Sequence, residues 1–156
     1  MVQADQDSAK VTFPPPLMLI LSLLIGIGLQ FQHPFHISQN LHFGWIGYSM
    51  TAIGILTIIY CRYLFKNAKT DIKPWKTTSK IVQGGPYRFS RNPIYLSLII
   101  MGVGVALSTN NGWILITQGI LLIILDRTVI SKEEKYLELK FGETYRAYKF
   151  TTRRWF

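Results

Sequence analysis

The chain has 156 residues, 49% of them hydrophobic and 16% charged, and seventeen Lys and Arg against eight Asp and Glu leave a net charge of +9. That length is one domain's worth, the apolar content excludes a disordered tail, and the single cysteine, Cys61, excludes an internal disulfide framework or a zinc site of paired cysteines. A small basic protein of this kind binds nucleic acid or associates with a membrane, and the placement of its charges decides which.

The first apolar run, residues 17–31, reads LMLILSLLIGIGLQF and lacks the polar stripe at a 3.6-residue period that a soluble amphipathic helix would show. Asp5 and Asp7 precede it together with Lys10, so no strongly basic leader stands before it, and Gln30-Phe31-Gln32-His33 is no small-residue cleavage site. It therefore reads as a retained helix. Residues 43–60, 94–108 and 112–125 are three further runs almost free of charge. The run 43–60 meets the roughly 17–25 apolar positions that a bilayer core requires, and the others reach it with flanking residues. The expectation is a single all-α membrane domain with about four spans near residues 14–32, 43–65, 92–109 and 112–130, followed by an interfacial helix over 131–148.

The loop 33–42 and the turn 109–111 contain no Lys or Arg. Lys10, the connection 66–91 with its helix ends, and the segment beyond Asp126 hold all seventeen. Four spans put these three regions on one face, so the positive-inside rule predicts cytoplasmic N- and C-termini, consistent with a bacterial inner membrane. Basic residues flanking apolar spans suit anionic headgroups, and no nucleic-acid motif with interleaved aromatics is visible. His33, His36 and His42 share the opposite loop without a carboxylate or Cys, and no metal is expected there.

The connection 66–91 is rich in turn signals, with a bend demanded by Gly84-Gly85-Pro86. Asn92-Pro93 reads as the cap and first position of the third helix. Residues 131–148, SKEEKYLELKFGETYRAY, read as a helix that continues the fourth span or lies at the interface. Ser131 is its expected cap, Glu133 and Glu134 stand in its first turn, and Gly142 marks a break.

Two motifs emerge. One is Gly85-Pro86-Tyr87-Arg88-x-x-Arg91-Asn92-Pro93-x-Tyr95; the other is Glu133-Glu134-x-x-Leu137-x-x-x-Phe141-Gly142-x-x-Tyr145-x-x-Tyr148. Together, separated by a two-helix hairpin, they resemble the isoprenylcysteine carboxyl methyltransferase family with its bacterial relatives and the related phospholipid methyltransferases, over roughly residues 60–156. The resemblance implies an S-adenosylmethionine pocket lined by Ser79, Lys80, Ile81 and Val82, by Tyr87, by Asn92, Pro93, Ile94 and Tyr95, and by Glu133. The residue chemistry agrees. Tyr87, Ile81 and Val82 suit an adenine ring, the N-terminus of the third helix suits a carboxylate, and Glu133 suits an ammonium or a ribose hydroxyl.

Methyl transfer needs alignment and exclusion of water more than an elaborate acid–base set, with Arg91, Arg127, Glu134 and Tyr95 as candidate catalytic residues. A polar cofactor would enter from the cytoplasm and a hydrophobic acceptor from the bilayer. Asn92 stands where eukaryotic members have His, and Val129 where they have a substrate-contacting Arg; Arg127 replaces that Arg only in a distorted or rotated helix. These departures disfavour a prenylated-protein carboxylate and leave a lipid amine, a small apolar carboxylate or another hydrophobic acceptor. Two other readings stand beside this one: a phospholipid N-methyltransferase, and a non-enzymatic transporter or assembly protein.

Overall fold

The computed structural model describes residues 7–38 and 44–155, which place His42 outside it. Among the described residues the fold is all-helical, with no strand beyond an isolated bridge between Ser90 and Arg153. Four apolar helices form the bundle: α1, Pro15–Gln32; α2, Gly44–Asn67; α3, Pro93–Ser108; and α4, Gly112–Ile124. Their boundaries are set locally. Proline at the first turn starts α1 and α3, where a missing N–H costs nothing. Asn111 caps α4 by accepting the Ile114 N–H at 3.2 Å.

α4 does not stop at the end of its apolar stretch. A π-helical turn, Leu125–Ile130, carries it into α5, Ser131–Phe141, and then Gly142, at φ +51°, breaks the chain before α6, Glu143–Thr151. Gly112–Phe141 is thus one continuous rod of 30 residues, about 45 Å at 1.5 Å per residue. A hydrocarbon core is about 30 Å thick, so the charged third of the rod, from Ser131 onward, projects past it. One expectation is corrected here. Ser131 caps nothing, because no helix begins there; its hydroxyl donates to the Asp126 carbonyl at 2.7 Å across the π-turn. The break expected at Gly142 is present and divides the C-terminal helix into α5 and α6, since the backbone there adopts angles that only glycine takes readily.

α2 packs along α3, α1 along α4, and α3 against α4. The α2–α3 contact is backbone to backbone. A methyl group placed on Gly47 would fall 2.4 Å from the Gly104 carbonyl oxygen, and one on Gly104 would fall 2.4 Å from Thr51 Oγ1. Small residues at such crossings let membrane helices approach closely. Between α1, α3 and α4, the buried Gln118 amide donates to Ser22 Oγ at 3.0 Å and packs on Gly102. Outward, the helices show apolar side chains: Leu24 is 58% exposed, Leu56 64% and Ile123 60%. Lipid can cover such faces without leaving backbone polar groups unpaired, because every one of these segments is a helix.

The two ends of the bundle differ. At one end, Asn110 accepts the N–H groups of Ile37 and Ser38 and donates to the Ser38 carbonyl, and Trp113 donates to the His33 carbonyl at 2.6 Å. At the other end the basic connection, α5, α6 and both terminal segments gather over a core of Ala9, Val11, Tyr95, Leu98, Leu125, Val129 and Ile130.

Candidate active site

A cleft opens at the basic end among the start of α3, the connection before it, α5 and α6. Its empty space is about 780 Å³ with the mouth included, within the ~300–1,000 Å³ of small-molecule sites. Phe65 from α2, Ile72, Ile81 and Val82 from the connection, Ile94 from α3 and Leu137 from α5 give it apolar walls; Tyr87, Tyr95, Tyr136, Tyr145 and Tyr148 add aromatic ones.

Tyr87 is held from three sides. The Gly84-Gly85-Pro86 bend, with Gly85 at φ +60°, leads into a short 3-10 turn, Gly85–Arg88, that aims the ring inward. Phe65 packs on that ring at 5.6 Å between centroids, and the Tyr148 hydroxyl donates to the Tyr87 carbonyl at 2.6 Å. Burial pushes the Tyr87 and Tyr145 hydroxyls well above their ordinary value and the Tyr148 hydroxyl up to about 12. All three are therefore neutral rings and donors near neutral pH, not bases.

The adjacent carboxylates on α5 have opposite surroundings. Glu134 is spent inside the protein. Arg91 Nε and Nη2 donate to its Oε1 at 3.1 and 2.7 Å, and Arg154 pairs with its other oxygen. Arg91 Nη1 also donates to the carbonyls of Lys149 and Thr152 at the end of α6. Arg154 reaches Asp126 at 3.2 Å, where Trp155 Nε1 donates at 3.1 Å, while the Arg154 carbonyl accepts from Ser90 Oγ and Asn92 Nδ2. The tail after α6 is thus laced to the start of α3 and to the π-turn.

Glu133 has one hydrogen-bond partner among the described residues, the Tyr95 hydroxyl at 2.8 Å, and no cation. It lies about 31 Å along the rod from Gly112, at the edge of a hydrocarbon core or beyond it. Burial in the cleft wall pushes its carboxyl up to about 7; Tyr95 opposes the shift and Glu134 adds to it. A carboxylate left without a cation in such a place is a candidate contact for a positively charged ligand.

Of the residues nominated from the sequence, Lys80, Ile81, Val82, Tyr87, Asn92, Ile94, Tyr95 and Glu133 line the cleft, as do the catalytic candidates Arg91 and Glu134. Ser79 does not; it is exposed and its N–H is tied back to Thr70 Oγ1 at 2.8 Å. Pro93 sits buried in the first turn of α3 outside the lining. Asn92 occupies the cap position, but its side chain makes no cap and bonds the tail instead. Arg127 is exposed and outside the cleft, although the helix is distorted just where it stands; the π-turn buries Val129 and leaves Arg127 outward. Tyr136, Tyr145, Tyr148, Phe65 and Ala9 also line the cleft. The Tyr145-x-x-Tyr148 spacing carried a signal for two of these; nothing in the sequence near Ala9 pointed to the site. No group of three or more His, Cys, Asp or Glu with metal-binding proximity occurs among the described residues.

The chain resembles known proteins over much of its length. Residues 43–144 match the family described as phospholipid methyltransferase, a stretch that holds α2 to α5, the whole first motif, and the second as far as Gly142. The chain is also 37% identical over 62 residues to an uncharacterized protein of Haemophilus influenzae, covering 40% of this chain and 98% of that one. No solved structure matches. The match spans well over half of the sequence and does not single out the isoprenylcysteine branch, so the chain belongs to the phospholipid methyltransferase family, a family of membrane methyltransferases.

Proposed function

We propose that the protein is an S-adenosylmethionine-dependent methyltransferase of the bacterial inner membrane, acting from the cytoplasmic face on a hydrophobic, lipid-like acceptor. The observation that carries this reading is Glu133, a carboxylate with no cation beside it in a cleft walled by tyrosines and aliphatic side chains. The cleft fits the cofactor's chemistry. Glu133 and the tyrosine faces suit a sulfonium or ammonium; Phe65, Ile81 and Val82 suit an adenine; and the unpaired N–H groups of Ile94 and Tyr95, which follow Pro93 in the first turn of α3, suit a carboxylate. When bound, the cofactor supplies an electrophilic methyl group on sulfur. The protein's part is to orient the acceptor in line with it and to keep water out.

The acceptor that the cleft favours is an amine, as in the phospholipid N-methyltransferase reading. An isoprenylcysteine-type carboxylate would need a free cation beside it. Arg91 and Arg154 are committed to Glu134, Asp126 and backbone carbonyls, Arg127 is turned away, and the unpaired lysines of the lining, Lys73 and Lys80, are exposed to solvent, so among the described residues no free cation is buried in the cleft. An amine arrives protonated and has to lose that proton before it attacks; in this reading Glu133 accepts it.

Calorimetric titration of the purified protein with S-adenosylmethionine and S-adenosylhomocysteine tests the cofactor. Saturable binding at roughly micromolar affinity, about −8 kcal/mol, is expected. Absence of binding in lipid as well as detergent overturns the reading and gives the lead to a non-enzymatic transporter or assembly role. Alkaline phosphatase fused after residue 155 is expected to be inactive in intact bacterial cells; an active fusion overturns the cytoplasmic placement.

A further inference from the structure

The family match begins at residue 43, yet one wall of the cleft comes from residue 9. Residues 7–11 cross the basic end of the bundle as a strap. Val11 is 2% exposed, packed into the core with Leu125 and Val129, and is the fixed end. Lys10 takes φ +51°, a left-handed conformation that costs a residue with a Cβ some strain. Ala9, 7% exposed, is the part that faces the cleft. Asp7 is the far end. Its carbonyl accepts from Thr77 Oγ1 and the Tyr136 hydroxyl, and its carboxylate pairs with Lys140. The Tyr136 hydroxyl also receives the Thr78 N–H at 3.2 Å, so the same tyrosine ties down the loop that carries Lys80, Ile81 and Val82.

We propose that residues 7–11 complete the ligand site as a latched strap. Val11 anchors it, Lys10 is its hinge, Ala9 closes the cleft wall, and Asp7 latches on Tyr136 and Lys140. The proposal rests on reading the cleft as a ligand site, and not on which ligand it holds. Its physical basis is a difference between the two ends. The anchor is apolar and buried, whereas the latch is an exposed ion pair and hydrogen bonds, which water and salt replace at little cost. The strap therefore opens from the Asp7 end while the bundle stays folded. A polar ligand gains access when the latch releases, and the closed strap keeps water from the reacting atoms.

The test is the rate at which a membrane-impermeant maleimide labels Ala9→Cys in the full-length protein. The native Cys61 is fully buried, and the unsubstituted chain serves as its background. Ala9→Cys is expected to label much more slowly than Lys10→Cys, whose position is exposed. Lys140→Ala is expected to speed labelling at position 9 about two- to five-fold, the range of an exposed ion pair. Lys140→Ala with Tyr136→Phe is expected to speed it on the order of tenfold. Raising the salt concentration should do the same as Lys140→Ala without any second substitution, which guards against a misfolded variant. Equal labelling at positions 9 and 10, or a rate at position 9 indifferent to both salt and the latch substitutions, overturns the strap. S-adenosylhomocysteine is expected to slow labelling at position 9. If it binds by calorimetry and does not slow labelling, the strap is no part of the site. If it does not bind at all while the latch effects persist, the strap stands and the cofactor reading falls.

Discussion

Glu133 and Glu134 are neighbours in sequence and opposites in environment, and the difference is testable. Glu133, with its carboxyl raised to about 7 by burial, is largely protonated at pH 6 and ionised at pH 8. A cationic ligand favours the ionised form, so affinity for S-adenosylmethionine is expected to rise with pH through about 7, with proton uptake by buffer when binding is measured below it. Glu133→Gln is expected to flatten that dependence and to weaken binding on the order of tenfold or more, the scale of a lost hydrogen bond to a charged group; calorimetry in buffers of different ionisation enthalpy reads both. The same shift acts on stability with the opposite sign. The folded chain holds the Glu133 proton more tightly than the unfolded one, so without ligand its contribution is favourable below about 4.5 and is lost as pH rises through about 7. Arg127, which the sequence nominated beside Val129, is exposed away from the cleft. Arg127→Ala is expected to change turnover less than twofold, and a hundredfold loss would return it to the site.

The elements that shape the site are the ones that break simple helical periodicity. Gly142 separates α5 from α6 at φ +51° and ψ −124°. Gly142→Ala is expected to cost about 1–3 kcal/mol, read as a lower melting temperature together with weaker ligand binding, because α6 brings Tyr145 and Tyr148 to the cleft. The Arg91–Glu134 pair, with side chains only 10% and 7% exposed, joins the segment just before α3 to α5. Arg91→Ala leaves a buried carboxylate with less compensation and is expected to destabilise the fold by about 3–5 kcal/mol, which thermal denaturation measures. Sequence patterning reported the helices well, since charge-free runs and Pro or Asn caps are local signals: the four apolar runs fall on α1 to α4, although α2 continues to Asn67. It did not report the π-turn, whose residues Leu125–Ile130 look like any helix. For the same reason it gave Ser131 a cap to make at a helix start that does not exist.

At the scale of the whole molecule, the site is an assembly of three parts distant in sequence, and this limits what a linear reading could find. The two motifs nominated Tyr87, Asn92, Tyr95 and Glu133, which all line the cleft, because their spacing is fixed within each element. The partners of Glu134 and Asp126 come from Arg154 and Trp155, and Ala9 comes from the other end of the chain; tertiary folding alone brings these together. Deleting residues from 152 onward is expected to leave the four apolar helices intact by circular dichroism and to weaken S-adenosylhomocysteine binding at least tenfold. Unchanged affinity would mean that the tail is only packing. The lacing of this tail to α3 also orders events during biosynthesis. Arg153 and Arg154 leave the ribosome after all four apolar helices have been made, so a nascent chain passes through membrane insertion with its spans in place and its cleft unfinished. Any ligand that fills the cleft is then bound after insertion. A chain cut short beyond α4 is expected to accumulate as an inserted but inert protein, not as a prematurely active one.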